Sequence, residues 1–392
     1  MNFFTSRKNH NSSGFEVGSN KSFEPATIRP GEDDRYMARA LQLAVKGVNT
    51  SHPNPAVGCV IVNDGKVVGE GWHQNAGGPH AEIMALKSAG SAARGATMYV
   101  TLEPCCHQGK TPPCTRAVIK SGIARVVTAL EDPNPLVNRA GISALQQAGI
   151  DVLCGVGQNQ AKQINRGFLK RVTTGIPWVT LKIATSLDGK TAMDSGESQW
   201  ITGSAARRDA HRLRASSSAI LTGVGTVLRD DPSMTARSEG VQRQPHRIIL
   251  DTNLSTPVEA NIFNGDGKVV LLTTVTDEES IPPYDPRKTE VISFEEVRGR
   301  IDLYQVVKIL GEKEYNSILL EAGSRLSGSM LRAGLVDEIV VYMSPDLLGS
   351  DARDMFSIGG MQFLSDRIAF EFESVIAVGR DMKVTLRPVS VS

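Results

Sequence analysis

The sequence predicts an α/β protein built as two unlike domains in one chain. Three observations carry that reading. Strand-like and helix-like segments alternate along nearly the whole chain, the pattern of a layered sheet with helices on its faces. The alternation breaks once, at Thr173-Thr174-Gly175-Ile176-Pro177, and resumes at Trp178. The 392 residues are too many for one ordinary compact domain, and 40% of them are hydrophobic, enough for each half to bury a core. The expected division is a flexible tail over 1–33, one domain over 34–174 and a second over 175–392.

The tail is rich in Asn, Ser, Lys and Gly, and no apolar run follows Arg7-Lys8, so it does not read as a secretory signal. Met37, Ala40, Leu41, Ala44 and Val48 then recur at helical spacing after an acidic start. Residues 59–62 and 67–72 read as strands around the turn Asn63-Asp64-Gly65-Lys66. A helix is expected over 80–88, a strand over 97–102 and a helix over 114–121. A strand over 125–130, a helix over 140–148, a strand over 151–156 and a last helix over 158–171 follow. In the second half, strands fit 178–186, 219–222, 246–251, 268–273, 317–321, 338–344, 370–377 and 382–388, with helices over 204–216 and 324–333. No internal repeat relates the halves.

Composition narrows the function. There are 43 basic and 42 acidic residues, and only 5% of residues are aromatic. A chain that grips nucleic acid wants a basic excess and stacking rings, so a small-molecule substrate is favoured and no nucleic-acid partner is expected. No apolar run reaches the roughly 18 residues of a membrane helix, so no membrane partner is expected, and cytoplasmic location is the default. The five cysteines, Cys59, Cys105, Cys106, Cys114 and Cys154, are odd in number, and three fall within ten residues. That spacing suits a metal site in a reducing compartment better than a disulfide framework.

The chemistry concentrates at His80-Ala81-Glu82, Pro104-Cys105 and Cys114. His80 and Glu82 open an expected helix, Cys105 ends a strand, and Cys114 opens the next helix. One imidazole and two thiolates make a zinc site that leaves a fourth position for water, the catalytic arrangement. Zinc lowers the pKa of that water toward neutrality. Glu82, two residues after the histidine, can reach the water without ligating the metal and can carry its proton to departing ammonia. His-x-Glu followed by Pro-Cys and a second Cys is the zinc deaminase signature, here with eight residues between the cysteines instead of two. The longer loop is expected to shape substrate recognition. A structural zinc would recruit Cys106 or His107 as a fourth ligand and leave Glu82 without a task. Cys106 could also replace Cys105, although Pro104 favours Cys105.

His80-Ala81-Glu82 with Glu103-Pro104-Cys105-Cys106-His107, Gly109-Lys110-Thr111-Pro112-Pro113-Cys114 resembles the bifunctional riboflavin-biosynthesis deaminase/reductase family. The resemblance continues through Asp132-Pro133-Asn134-Pro135, Gly167-Phe168-Leu169, Ser186-Leu187-Asp188-Gly189-Lys190, Glu197-Ser198-Gln199-Trp200-Ile201-Thr202 and Asp230-Asp231-Pro232. It covers nearly everything from residue 34 onward and departs at Arg139, where the family usually has glycine. It implies a cytidine-deaminase-like α/β/α layered domain followed by a dihydrofolate-reductase-like α/β domain. It also implies one Zn2+ per chain, NADPH, and assembly as a homo-oligomer, a dimer or tetramer. The implied steps are deamination of 2,5-diamino-6-(5-phosphoribosylamino)pyrimidin-4(3H)-one and then reduction of its ribosyl chain to ribityl.

Other residues take candidate roles from their chemistry and the resemblance together. Asn54 carries an amide that can pair with a pyrimidine edge, and His107 and Lys110 can meet a ribose or phosphate. Asp132 and Asn134 follow a strand end. Each alone reads as a turn residue; the resemblance makes all five deaminase substrate contacts. Gly223-Val224-Gly225-Thr226 lacks the third glycine of a dinucleotide fingerprint and reads as a plain turn. Leu320-Glu321-Ala322-Gly323 runs from a strand into a helix whose first amides can meet a pyrophosphate. There the resemblance implies NADPH contacts at Gly323, Ser324, Arg325, Leu326, Ser327, Gly328 and Ser329, joined by Ala184, Trp200, Thr226 and Asp230. It implies reductase substrate contacts at Ser198, Arg214, Met234, Arg237 and Glu321, with the two arginines suited to a phosphate. Lys182 is a candidate catalytic residue, and either it or Glu321 could assist protonation of the opening sugar. The competing readings are a nucleic-acid deaminase with a C-terminal binding module and a zinc-stabilised protein without activity.

Overall fold

Asn63 pairs with Lys66 across Asp64 and Gly65, whose φ values of 48° and 72° are both positive. This turn has the twist that antiparallel strands need, and it joins β1 (Gly58–Asn63) to β2 (Lys66–Trp72). The computed structural model describes residues 31–106, 112–134 and 139–389. The expected tail therefore lies, up to residue 30, outside the described residues, and α1 (Glu32–Gly47) opens the first domain.

The first domain adds α2 (Ala81–Ala89), β3 (Thr97–Val100), α3 (Cys114–Ser121), β4 (Arg125–Thr128), α4 (Ala140–Gln147), β5 (Asp151–Cys154), α5 (Gln158–Ile164) and α6 (Arg166–Thr174). Its sheet has the order β2-β1-β3-β4-β5, antiparallel from β2 to β3 and parallel from β3 to β5. Gly58 lets α1 lie on one face, because a Cβ there would sit 2.0 Å from the Ala40 carbonyl oxygen. Gly71, on the other face, does the same for α2, where a Cβ would sit 2.6 Å from the Ala81 carbonyl oxygen. Arg125 on β4 donates to both carboxylate oxygens of Asp33 on α1, at 2.7 and 3.0 Å, and ties that helix to the sheet from within.

The second domain runs β6 (Trp178–Thr185), β7 (Lys190–Ala192), α7 (Ser204–Ser216), β8 (Ala219–Gly223), α8 (Val224–Asp230), β9 (His246–Leu250), β10 (Val269–Thr273) and β11 (Thr289–Ser293). It continues with β12 (Glu296–Val297), β13 (Arg300–Ile301), α9 (Leu303–Glu312), β14 (Ser317–Leu320), α10 (Ser324–Arg332), β15 (Glu338–Met343), β16 (Arg353–Asp354), β17 (Phe370–Val378) and β18 (Asp381–Pro388). Nine strands form one sheet of order β11-β10-β9-β8-β14-β6-β15-β18-β17. Those from β11 to β15 are parallel, and β18 and β17 close the edge antiparallel. Strand alternation divides the core: Leu221, Ile248 and Leu320 face α9 and α10, while Ile220, Ile249 and Leu319 face α7 and α8.

Three expectations need correction. The helix expected over 158–171 is two helices, broken at Asn165. That side chain turns inward, accepting from the Ala56 amide at 2.8 Å and donating to its carbonyl at 2.9 Å. The helix then runs through Thr174 and ends at Gly175, φ 79°, so the break in pattern starts later than Thr173. Val224 opens α8 instead of lying in a plain turn. The sequence reading also missed β11 and α9.

Helix α6 docks the two domains on each other. Arg166 pairs with Glu338 at 2.5 and 2.8 Å, and Lys170 with Asp337 at 2.6 Å. Arg171 donates to Asn316 at 2.7 Å, and Asn316 donates to the Pro53 carbonyl at 2.9 Å. No helix among the described residues is long and apolar enough to cross a membrane.

Arg139 explains its own departure from the family pattern. It caps the N-terminus of α4 with φ 66°, the left-handed region that glycine enters without strain. Its one ion pair, with Glu131 at 3.6 Å, lies at the surface and adds little. Arg139→Gly is therefore expected to stabilise the protein by up to about 1 kcal/mol, read as a raised midpoint in thermal or urea unfolding.

Candidate functional site

Loop and helix starts at one end of β3 and β4 bring the predicted metal residues together. His80 is the N-cap of α2, in extended conformation, and Glu82 lies in the first turn. The glycines of β2 let α2 approach closely, which sets the depth of both side chains. Cys105 follows β3, and Cys114 is the first residue of α3. The ligand atoms of His80, Cys105 and Cys114 all lie within 4.8 Å of one another. His80 Nδ1 is 3.2 Å from Cys114 Sγ and 3.6 Å from Cys105 Sγ. A tetrahedral zinc with ordinary Zn–N and Zn–S bonds needs N···S edges of roughly 3.6 Å, so this donor set fits the ion. Cys105, not Cys106, is the cysteine clustered with His80 and Cys114; His107 lies outside the described residues.

Electrostatics follow from the crowding. Hydrogen bonds from Cys114 and His80 hold the Cys105 thiol well below its usual range, while its own hydrogen bond with Cys105 and burial push Cys114 up. Burial raises the pKa of Glu82, which is 4% exposed, against the opposing pull of His80.

A pocket of about 300 Å³ opens on this cluster, lined by His80, Glu82, Cys105, Asn54, Asp132 and Asn134 among others. All six are expected catalytic, metal or substrate residues, and Cys114 lies buried behind. Lys110, like His107, lies outside the described residues.

Two further residues organise the pocket and were missed. His73 Nδ1 faces the Pro79 carbonyl oxygen at 3.1 Å, so that nitrogen carries the proton. Its Nε2 then accepts from Asn54 Nδ2 at 3.0 Å, which turns Asn54 Oδ1 outward as an acceptor for a substrate N–H. Glu103, 4% exposed, accepts from four backbone amides: Asp132 at 3.0 Å, Arg139 at 3.2 Å, Gly141 at 2.9 Å and Ile142 at 3.2 Å. One carboxylate thus fixes both the loop that bears Asp132 and the start of α4. The signal available in the sequence was a lone acidic residue before Pro104-Cys105, which reads equally as a loop residue.

The second domain has a cleft of about 620 Å³ at the C-terminal ends of its parallel strands. Ala184, Ser198, Trp200, Thr226, Asp230, Met234, Arg237, Gly323 and Ser324 line it, with Lys182, Arg214 and Glu321 at its floor. Gly323 precedes α10 with nothing within 4 Å of where a Cβ would stand, so backbone and helix end face open space. That opening fits the pyrophosphate of a dinucleotide. Of the expected contacts over 323–329, Gly323 and Ser324 line the cleft; Leu326 packs against the core, and Ser327 and Gly328 are buried, where a Cβ on Gly328 would meet the Ser357 carbonyl.

The two arginines differ. Arg214 pairs with Glu321, donating at 2.6 and 2.9 Å, while Arg237 is exposed and, among the described residues, hydrogen-bonds to His211. Lys182 Nζ donates to the same Glu321 at 3.3 Å. Burial would raise the Glu321 pKa, but Arg214 and Lys182 outweigh it and hold the carboxyl well below its usual range.

Comparison with known proteins places both halves. Residues 30–130 match the cytidine and deoxycytidylate deaminase zinc-binding region, and residues 177–384 match the RibD C-terminal domain. The riboflavin biosynthesis protein RibD of Escherichia coli K12 is 50% identical over 364 residues, which span 90% of this chain and 98% of that protein. The chain belongs to the RibD family. Haemophilus influenzae RibD is 42% identical over 373 residues, 92% of this chain and 98% of that one. Among solved structures, Acinetobacter baumannii RibD superposes with a TM-score of 0.83 at 40% identity, over 92% of this chain and 99% of that one. A Thermotoga maritima diaminohydroxyphosphoribosylaminopyrimidine deaminase/5-amino-6-(5-phosphoribosylamino)uracil reductase gives 0.83 at 36% identity, over 91% and 99%. The RibD assignment makes the chain a bifunctional deaminase/reductase of riboflavin biosynthesis, with a cytidine-deaminase-like first domain and a reductase second domain that fit Zn2+ and NADPH.

Glu103→Gln offers one acceptor oxygen where four amides converge, and its NH2 group faces donors. It is expected to raise KM for deamination at least about tenfold through the loosened Asp132 loop, with the KM of the reductase step unchanged in the same preparation. An unchanged deaminase KM would show that the loop holds without it.

Proposed function

We propose that this chain carries out two consecutive steps on one phosphoribosyl pyrimidine. The first domain, taken as 34–174, hydrolytically deaminates 2,5-diamino-6-(5-phosphoribosylamino)pyrimidin-4(3H)-one. The second, taken as 175–392, reduces the product to 5-amino-6-(5-phosphoribitylamino)uracil. The observation that carries the reading is the His80–Cys105–Cys114 cluster with buried Glu82 at the wall of a substrate-sized pocket, in a chain that also holds the reductase cleft.

Zinc at the cluster would supply a Lewis acid that makes water nucleophilic near neutral pH, and NADPH in the cleft would supply the hydride. Glu82 takes the proton of the attacking water and returns it to the departing amine. Asn54 Oδ1 accepts from a ring N–H and orients the pyrimidine, with Asp132 and Asn134 on its other edge. His107 and Lys110 take the ribose phosphate end. In the cleft, the start of α10 would hold the cofactor pyrophosphate, and Trp200 would contact the nicotinamide end. Ser198, Met234 and Arg237 hold the substrate. Lys182 is the donor of its pair, bonding to Glu321 at 3.3 Å, and Arg214 and Lys182 together hold the Glu321 carboxyl well below its usual range. Lys182 therefore donates to the ring oxygen as the sugar opens, and the Arg214–Glu321 pair fixes its position.

Glu82→Ala is expected to lower deamination by about 10²–10⁴-fold and to leave NADPH oxidation with the deaminated intermediate unchanged. Chelation of the metal should give the same split. Loss of both activities in a folded variant would refute the division of labour.

The same reading includes a cytoplasmic, self-associating enzyme. The edge strand β17 exposes Phe372, Val375 and Ile376, at 73%, 47% and 51%, beside unpaired backbone. An exposed apolar edge of this kind favours pairing with a second copy. Phe372→Lys with Ile376→Lys should shift the mass seen by analytical ultracentrifugation toward one chain. A wild-type protein that already sediments as a single chain would refute it.

A further inference from the structure

A third cavity, of about 290 Å³, lies between the two domains at the N-terminal ends of the reductase strands. His52 and Asn54 contribute from the first domain, and Trp178, Ser218, Arg243 and Ser317 from the second. Among the described residues, no aspartate or glutamate lines it. Of its two arginines, Arg166 is satisfied by Glu338. Arg243 has no carboxylate partner among the described residues; its guanidinium donates to the Ser218 carbonyl at 3.1 Å. Burial lowers the Arg243 pKa, a sign that the charge has lost water without gaining a counter-ion.

The neighbours do not supply the missing negative charge. His52 bonds to Ser218 Oγ at 3.1 Å and stacks on Tyr315, and His246 meets the Tyr315 hydroxyl at 2.7 Å. Burial keeps both imidazoles neutral, at about 3 and about 4. Trp178, on the opposite domain wall from His52, has a buried indole N–H with no acceptor among the described residues. Arg243, without a carboxylate, and Trp178, with an unsatisfied donor, thus line one cavity. Buried charges and donors in folded proteins are ordinarily paired. Leu213, Leu319, Ile164 and Phe168 give the cavity an apolar wall beside polar residues such as Gln163, Thr180 and Asn316.

We infer that this interdomain cavity is a second ligand site, for a small phosphate- or carboxylate-bearing molecule whose anionic group pairs with Arg243 and whose remainder lies on the apolar wall. Asn54 and Phe168 line both this cavity and the deaminase pocket, so an occupant touches residues of that site without entering it. The cofactor cleft lies at the other end of the sheet and shares none of these residues.

Trp178 is one of three tryptophans, so Trp72→Phe with Trp200→Phe leaves it as the only such reporter. Inorganic phosphate and acetate, titrated separately at constant ionic strength against chloride, are expected to change its emission saturably in at least one arm. Phosphate alone acting, or acetate alone, identifies the class of anion. Arg243→Gln in that background should raise the apparent Kd at least about tenfold, the loss of a charge-assisted pair. Ser216→Glu places a carboxylate at the exposed rim of the cavity, leaves Arg243 intact, and should weaken binding similarly. A response that never saturates in either arm, or that both variants leave unchanged, would overturn the proposal.

Discussion

Parallel strands can be joined only by crossovers, and that constraint sets the position of both catalytic sites. Each strand must hand the chain to a helix at the same edge, so the loops at that edge converge. In the first domain the loops after β3 and β4 deliver Glu103, Cys105, Asp132 and Asn134 to one place. In the second, the ends of β6, β8 and β14 deliver Ala184, Thr226, Glu321 and Gly323. His80 and Glu82 reach the first site from another direction, through a helix that two glycines of β2 allow to press onto the sheet. The ligand geometry is thus a property of the sheet edge, and the motif residues are its visible part.

What the sequence makes legible follows from the range of the interactions involved. The hairpin at Asp64-Gly65 and the regular strands of both sheets are local decisions, encoded by turn residues and alternating apolar positions. The metal residues were legible because zinc chemistry admits few side chains and each stands at an element boundary. Arg139 is the converse case: the family glycine has a local reason, a positive φ, that only the backbone reveals.

The missed features depend on distant partners. Helix 158–171 breaks because Asn165 bonds to Ala56, more than a hundred positions away. Glu103 looks like one more acidic loop residue until four amides from the next loop close around it. The pairing of Arg214 on α7 with Glu321 just after β14 joins residues 107 positions apart. Arg325 to Ser329 were grouped with Gly323 because motif matching follows the chain, whereas the cleft wall is formed by Gly323 and Ser324 of that run.

The two clefts sit at opposite ends of the reductase sheet. Glu314, just before β14, borders the deaminase pocket, whereas Glu321, just after it, lies in the reductase cleft. Along β6, Trp178 and Ala184 mark the two ends, about 20 Å apart at the rise of an extended strand. The layer between them is packed with Leu181, Leu221 and Leu320. A molecule leaving the first site must round this barrier to reach the second site of its own chain. Fusion of the domains therefore fixes the stoichiometry of the two clefts at one to one while a packed layer of core stands on the direct line between them.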